Sequence, residues 1–255
     1  MTLWQPLQDE LAQWRDAGRS ASLWLRDDDA IAPTPALDRL ADLARGHDVP
    51  VALAIIPART GPDLASRLAA ETIIHPVIHG WSHANHAPAP EKKQELGPHR
   101  PRATLLGELA NGLARLRALY GDRLTPMLVP PWNRIDPSLL DDLPETGFTG
   151  LSAFGHKLAS RPGLAVINTH IDIVDSRAGN RCRDHGMLIA GLVQELQEAR
   201  AVGGSRPVGV LSHHLVSDDD AFRFLADLFA LAAQSGTVNW KSPADLLQSV
   251  APRSI

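Results

Sequence analysis

Apolar residues along this chain fall into two alternating rhythms. Short β-type runs stand at 21–26, 51–56, 72–78, 126–129, 150–154, 165–168 and 208–211. Between several of them lie segments with apolar residues at helical spacing, at 35–45, 62–70, 103–120, 187–201 and 221–234. Brief continuous apolar runs fit strands buried on both faces, and strands alternating with helices read as βα units around a parallel sheet. About seven such strands with covering helices predict an α/β fold, a distorted (β/α) barrel in preference to an open sheet. At the start, Trp4, Leu7, Leu11 and Trp14 read as alternating apolar and polar positions, without the basic start and apolar stretch of a secretory leader. That reading predicts a cytoplasmic protein.

Two stretches break the rhythm. Residues 87–102 hold four prolines and the charged run Glu91-Lys92-Lys93-Gln94-Glu95 with no apolar period, which predicts a long loop of the lid or binding type. Within it, Glu95 and Arg100 are expected to shape a pocket. Residues 175–184 form a second polar stretch and are expected to be a loop.

Composition narrows the classes. At 255 residues and 44% hydrophobic content, the whole chain, 1–255, is expected to be one domain. The net charge of −4 is spread along the chain, so neither a nucleic acid nor an anionic membrane is an expected partner. No apolar run approaches the roughly 20 residues needed to span a bilayer. A small neutral or weakly charged substrate is the better expectation, and the oligomeric state is left open. The one cysteine, Cys182, sits among Arg181, Arg183 and Asp184, which gives neither a disulfide framework nor a cysteine cluster for a metal. A metal would have to be held by histidine and carboxylate.

Two segments offer such groups. Leu23-Trp24-Leu25-Arg26-Asp27-Asp28-Asp29 is an apolar strand that ends in three adjacent carboxylates. It reads either as a solvated, helix-capping turn or as a strand end where a cation relieves the repulsion. Ile78-His79-Gly80-Trp81-Ser82-His83 offers two imidazoles four residues apart after another apolar run. Two histidines and one carboxylate suit zinc and leave a fourth position for water or substrate.

The succession resembles the motifs of the polysaccharide deacetylases, carbohydrate esterase family 4, also called the NodB-homology domain. In that family a strand ending in T-F-D-D-G supplies a base and a metal ligand, and H-[ST]-x-x-H supplies two more ligands. Here the counterparts are Arg26-Asp27-Asp28-Asp29-Ala30, which looks like an R-x-D-D variant, and His79-Gly80-Trp81-Ser82-His83. The alignment implies Asp28 as base and one divalent ion, zinc first, on Asp29, His79 and His83. A frame shifted by one residue, with Asp27 as base and Asp28 as ligand, is also open.

Val129-Pro130-Pro131-Trp132-Asn133 resembles the third motif, R-P-P-[YF]-G, which gives the backbone N–H of Trp132 an oxyanion-binding role. Thr169-His170-Ile171-Asp172-Ile173-Val174-Asp175 resembles the fourth, D-x-x-D-W, and implies Asp172 as the carboxylate that orients a catalytic histidine. Leu211-Ser212-His213-His214 resembles the fifth, L-x-H, and implies His213 as the acid and Leu211 as an apolar wall for the acetyl methyl; without the other motifs, His213 and His214 read equally well as a pair of surface-loop imidazoles. Pro131, Asn133, Trp81 and His86 are expected along the same substrate pocket. The departures are Val129 for the third motif's arginine, Gly80 for the second motif's Ser or Thr, and Ser176 for the fourth motif's tryptophan. Arg26 is expected to steady Asp28 in place of the missing arginine.

The resemblance implies a metal-dependent hydrolase that frees an acetyl or similar acyl group from an amide nitrogen on an N-acetylated sugar, glycan or small metabolite. Two rival expectations share parts of it: a hydrolase of another C–N bond, such as a cyclic amide or ureide, and a catalytically inactive carbohydrate-binding homologue.

Overall fold

The computed structural model describes residues 2–175, 178–204 and 206–250. Ser176, one of the departures named above, lies outside the described residues. The first half of the chain runs α1 (Gln5–Asp16), β1 (Ala21–Ala30), α2 (Pro35–Gly46), β2 (Val51–Ile55), α3 (Pro62–Leu68), β3 (Ile74–His79) and α4 (Arg102–Tyr120). Then come β4 (Met127–Val129), β5 (Gly150–Leu151), β6 (Ala165–Val166), β7 (Ile171–Asp172), β8 (Val174–Asp175) and β9 (Arg181–Cys182). The last elements are α5 (His185–Ala201), β10 (Val208–Ser212), α6 (Asp219–Ser235), β11 (Val238–Trp240) and α7 (Pro243–Val250). Every predicted strand and helix is present, with shifted ends.

Local chemistry sets the helix ends. Thr34 caps α2 by accepting a bond from the Leu37 N–H at 3.1 Å, and Pro35 fills the first helical position, where its missing N–H costs nothing. Asp218 caps α6 by accepting from the Ala221 N–H at 2.9 Å, and Gly236 closes that helix in the left-handed region at φ 63°.

The chain divides into two compact units. One comprises the segments up to Asp27, Thr34–Val51 and Thr169–Ser242. Its strands are parallel: β1 pairs with β10, placing Asp27 opposite Ser212, and with β11; β10 pairs in turn with β7, placing Leu211 opposite Asp172. Trp14, Trp24 and Phe224 are wholly buried in this unit. The other comprises Asp28–Pro33, Ala52–Asn168 and the chain from Pro243 on. There β2, β3, β4, β5 and β6 lie side by side in chain order, and the Ile56 N–H donates to the Ala30 carbonyl at 3.0 Å. The parallel register sets Ile78 against Leu128 and His79 against Val129.

Three expectations need correction. The N-terminal alternation is helix α1, because Leu7, Leu11 and Trp14 repeat at helical spacing and form one buried stripe. The apolar strand does not stop before its carboxylates: β1 runs through Asp27, Asp28 and Asp29 to Ala30. Arg26, Asp27 and Asp28 are buried, so the solvated-turn reading fails. The polar stretch 175–184 includes β9, which pairs antiparallel with β8 through Val174 to Cys182 and Asp175 to Arg181. The other long loop, 87–102, carries no helix or strand before α4. It is fastened by the Asp136 N–H, which donates to the Leu96 carbonyl at 2.7 Å. Among the described residues no helix is long and apolar enough to cross a membrane.

Candidate metal centre

His79 is the last residue of β3, and the pairing with β4 decides its tautomer. Its Nδ1 lies 2.9 Å from the Val129 carbonyl, which can only accept, so Nδ1 carries the hydrogen. The neutral ring therefore presents a lone pair at Nε2. That atom stands 3.0 Å from Asp29 Oδ1, and His83 Nε2 stands 3.2 Å from the same oxygen. Ligand atoms of Asp29, His79 and His83 all lie within 4.8 Å of one another. A lone pair and a carboxylate oxygen at this distance repel unless a proton or a cation lies between them. Ligands about 2.0–2.2 Å from a tetrahedral zinc ion sit roughly 3.3–3.5 Å apart, so the three groups fit such an ion with little movement.

The two imidazoles differ in proton affinity. Burial works against the charge on His79, but the hydrogen bond to Asp29, the charges of Asp28 and Asp29, and the Val129 carbonyl together raise its pKa above 6.5. Burial and repulsion from His79 lower that of His83, against the partial offset of Asp29 and Glu95. In the metal-free chain, protonated His79 thus contributes stability that is fully present below the unfolded value and is lost as pH rises through the raised folded value. A metal must displace that proton. Affinity for Zn2+ is therefore expected to fall about tenfold per pH unit on acidification below the His79 titration, which titration calorimetry at several pH values measures. A flat profile through that range would contradict the assignment of His79 as a ligand.

The loop that presents His83 is held from beneath by Glu95, which is wholly buried. Its carboxylate accepts from the N–H groups of Trp81 at 3.0 Å, Ser82 at 2.8 Å and Ala84 at 3.4 Å, and from the Ser82 hydroxyl at 2.8 Å. Gly80 departs from the family motif for a reason visible in this packing. A Cβ there would stand 2.1 Å from Glu95 Oε2 and 2.6 Å from the Pro131 ring, and its φ is +55°. Arg100 donates to the Glu95 carbonyl at 3.4 Å and pairs with Glu108 at 2.8 Å.

Asp29 (φ 76°), His83 (φ 58°), Trp132 (φ 55°) and Asn133 (φ 57°) also occupy the sparsely populated positive-φ region. Such conformations concentrate where a ligand clamp over-determines the backbone. Of the residues expected in the pocket, Trp132 lies with its ring centroid 4.3 Å from that of His83, and Pro131 lies against Gly80. The Asn133 N–H closes the turn on the Pro130 carbonyl at 2.9 Å. Trp81 is half-buried, and its carbonyl accepts from the Ala58 N–H. His86 does not join the trio; its N–H donates to the Gln94 carbonyl.

In the unit that contains β10, the surface-loop reading of the His213-His214 pair fails for His214, whose pairing with Asp27 the sequence did not predict. Asp27 and His214 are both wholly buried and bonded to each other through His214 Nδ1. Asp27 also accepts from the Ser212 hydroxyl at 2.6 Å and from the His214 N–H at 2.9 Å. A frame with Asp27 as the reacting base does not suit a carboxylate committed in this way. His213 next to it is half-buried, and its Nδ1 makes no hydrogen bond among the described residues. Asp172 accepts from the Val174 N–H at 3.1 Å, and Leu211 is wholly buried. The signal for the missed pair was present: an acid stands where the first motif carries an aromatic residue, and a second histidine follows the fifth motif.

No family model matches the sequence, and no curated protein matches it. Solved structures do match. A Mycobacterium smegmatis protein assigned to the polysaccharide deacetylases is 16% identical over 93% of this chain and 94% of its own, with a TM-score of 0.67. The peptidoglycan deacetylase PdaC of Bacillus subtilis is 14% identical over 90% and 91%, with a TM-score of 0.56. A family 4 acetyl xylan esterase of Clostridium thermocellum, solved with a cobalt ion, is 14% identical over 89% and 90%, at 0.53. The fold is the distorted (β/α) barrel of the polysaccharide deacetylases, as strand pattern and motif order predicted.

Proposed function

We propose that this chain is a metal-dependent hydrolase that removes an acetyl or similar acyl group from an amide nitrogen, on an N-acetylated sugar or glycan. The observation that carries the reading is the convergence of Asp29, His79 and His83, with Nε2 of both imidazoles turned toward one carboxylate oxygen. The cobalt ion named with the Clostridium esterase supports it, as do the deacetylases among the solved structures of this fold.

The trio would hold one divalent ion, zinc first. Such an ion supplies Lewis-acid polarisation of the scissile carbonyl and of water. Asp28, buried beside Asp29 in β1, is assigned the proton of the attacking water. The backbone N–H of Trp132 is assigned to the developing oxyanion, where one positioned donor is worth about 3–4 kcal/mol. His213 is assigned the proton that goes to the leaving amine, with Asp172 as its orienting carboxylate and Arg26 as the group that steadies Asp28.

The test is acetate release from N-acetylglucosamine oligomers and small N-acetyl compounds, with a cyclic amide and an acetyl ester as comparison substrates and bound metal measured on the same samples. Purified protein that holds no ion at the trio and releases no acyl group would sink the proposal. His213→Gln is expected to keep the ion and lose about 10²–10⁴ in kcat. Full turnover in that variant would remove the acid assignment while leaving the ion site untouched.

A further inference from the structure

A second group of metal-ligating side chains lies within the unit that contains β10. Cys182 closes β9, His185 opens α5 and Asp220 stands in the first turn of α6. A ligand atom from each lies within 4.8 Å of the others. Three separate elements thus bring a soft sulfur, an imidazole and a carboxylate together.

Bonds to neighbouring groups fix the backbone around those atoms, and His185 Nε2 itself rests 3.3 Å from the Asp220 carbonyl, a contact that an ion at this point would replace. Asp218 takes the Cys182 N–H on one carboxylate oxygen at 3.2 Å and the Ala221 N–H on the other, which ties the β9 backbone to the start of α6. The His185 ring sits edge-on against Phe224, with centroids 5.2 Å apart. Asp220 Oδ1 accepts from Arg223 Nη1 at 2.7 Å, and Oδ2 lies 3.8 Å from His185 Nε2. That separation is long for a hydrogen bond and close to the roughly 3.3–3.5 Å between two ligands of one tetrahedral ion.

We infer that Cys182, His185 and Asp220 form a second metal site, separate from the Asp29 trio, that takes Zn2+ with its fourth position open to water. Sulfur, nitrogen and oxygen donors together select zinc or a similar borderline ion over magnesium or calcium. Binding breaks the Cys182 S–H bond, forms the sulfur–zinc bond and releases the proton to solvent. A nucleophilic role for the thiol fits less well, because burial and the carboxylates of Asp218 and Asp220 push it up to about 11. An ion here would clip β9 to the starts of two helices.

Cys182 is the one cysteine of the chain, so any thiolate-to-cobalt charge-transfer band can come from no other residue. Titrating the unaltered chain with Co2+ alone is expected to raise that band in the near ultraviolet, and in His79→Ala the band is expected to saturate at one equivalent. The band should persist in His79→Ala, which disables the other site, and vanish in Cys182→Ser. Zinc added to His79→Ala should raise its Tm and slow alkylation of Cys182 by at least tenfold. His185→Ala should weaken both effects by at least tenfold. A chain without the cobalt band at saturation, or zinc content unaltered by Cys182→Ser, would overturn the site. Because the band is read on the unaltered chain, misfolding of a variant cannot mask the result. Failure of acyl release would leave this site standing, and loss of the band would leave the hydrolase standing.

Discussion

His79→Ala is expected to strip the Asp29 trio of its ion and bring acyl release down to background. The imidazole is not one contact among many, because its tautomer is fixed by the Val129 carbonyl and its Nε2 shares one carboxylate oxygen with His83. Removing an outer hydrogen-bond partner of a metal ligand costs about 10–100-fold in affinity, and removing a ligand from a set of three should cost far more. Asp29→Asn provides the companion measurement. An amide can donate to the Nε2 lone pair of the neutral ring, so at pH above the His79 titration the metal-free fold should be at least as stable as the parent, while the ion is lost with the charge. Elemental analysis, thermal unfolding and acetate release, run side by side, separate those effects. Retention of both the ion and activity in His79→Ala would end the reading.

Gly80→Ser makes the second motif look more like the family's and is expected to make the protein worse. A left-handed residue other than glycine costs about 1–2 kcal/mol, and overpacking adds about 1–3, so a loss of about 2–5 kcal/mol is expected. The obstacle is specific: the added Cβ meets Glu95 Oε2 and the Pro131 ring. Glu95→Ala alone removes the acceptor for four donors in the histidine loop. Each buried group so stranded costs about 1–3 kcal/mol where no water replaces the carboxylate. The double variant should therefore be more stable than the sum of the single losses predicts, by more than about 0.5 kcal/mol in urea unfolding. Strict additivity would mean that Gly80 and Glu95 are not coupled and that the motif's departure has another origin.

What the sequence disclosed depended on how directly period reports burial. The strands at 51–56 and 208–211 are apolar throughout because they are covered on both faces, so their pattern alone identifies them. The trio was legible because motif order joins Asp29 to His79 and His83 across fifty residues. What was not legible is polar chemistry inside the sheet. A run of three aspartates reads as the end of a strand, since a charge without a partner is not buried. Here Asp27 finds Ser212 and His214, nearly two hundred residues along, and Asp29 finds two imidazoles, so β1 continues. Glu95, read as shaping a pocket, supports the histidine loop from within. Its acceptor role depends on three backbone N–H groups, which no residue pattern reveals. The short strand β9 escaped because two residues are too few to carry a period.

The Asp27–His214 pair bears on how the sheet assembles. The segments Leu23–Leu25 and Val208–Leu211 are apolar apart from Gly209, and by hydrophobicity alone they could slide past one another by a residue with little penalty. With Asp27 opposite Ser212, such a slip would bring Arg26 or Asp28 to that place and strand a buried carboxylate away from its imidazole. Leaving a buried polar group without its hydrogen-bond partner costs about 1–3 kcal/mol. The two groups thus act as an address, admitting one alignment of neighbouring strands and rejecting the others before any substrate is met.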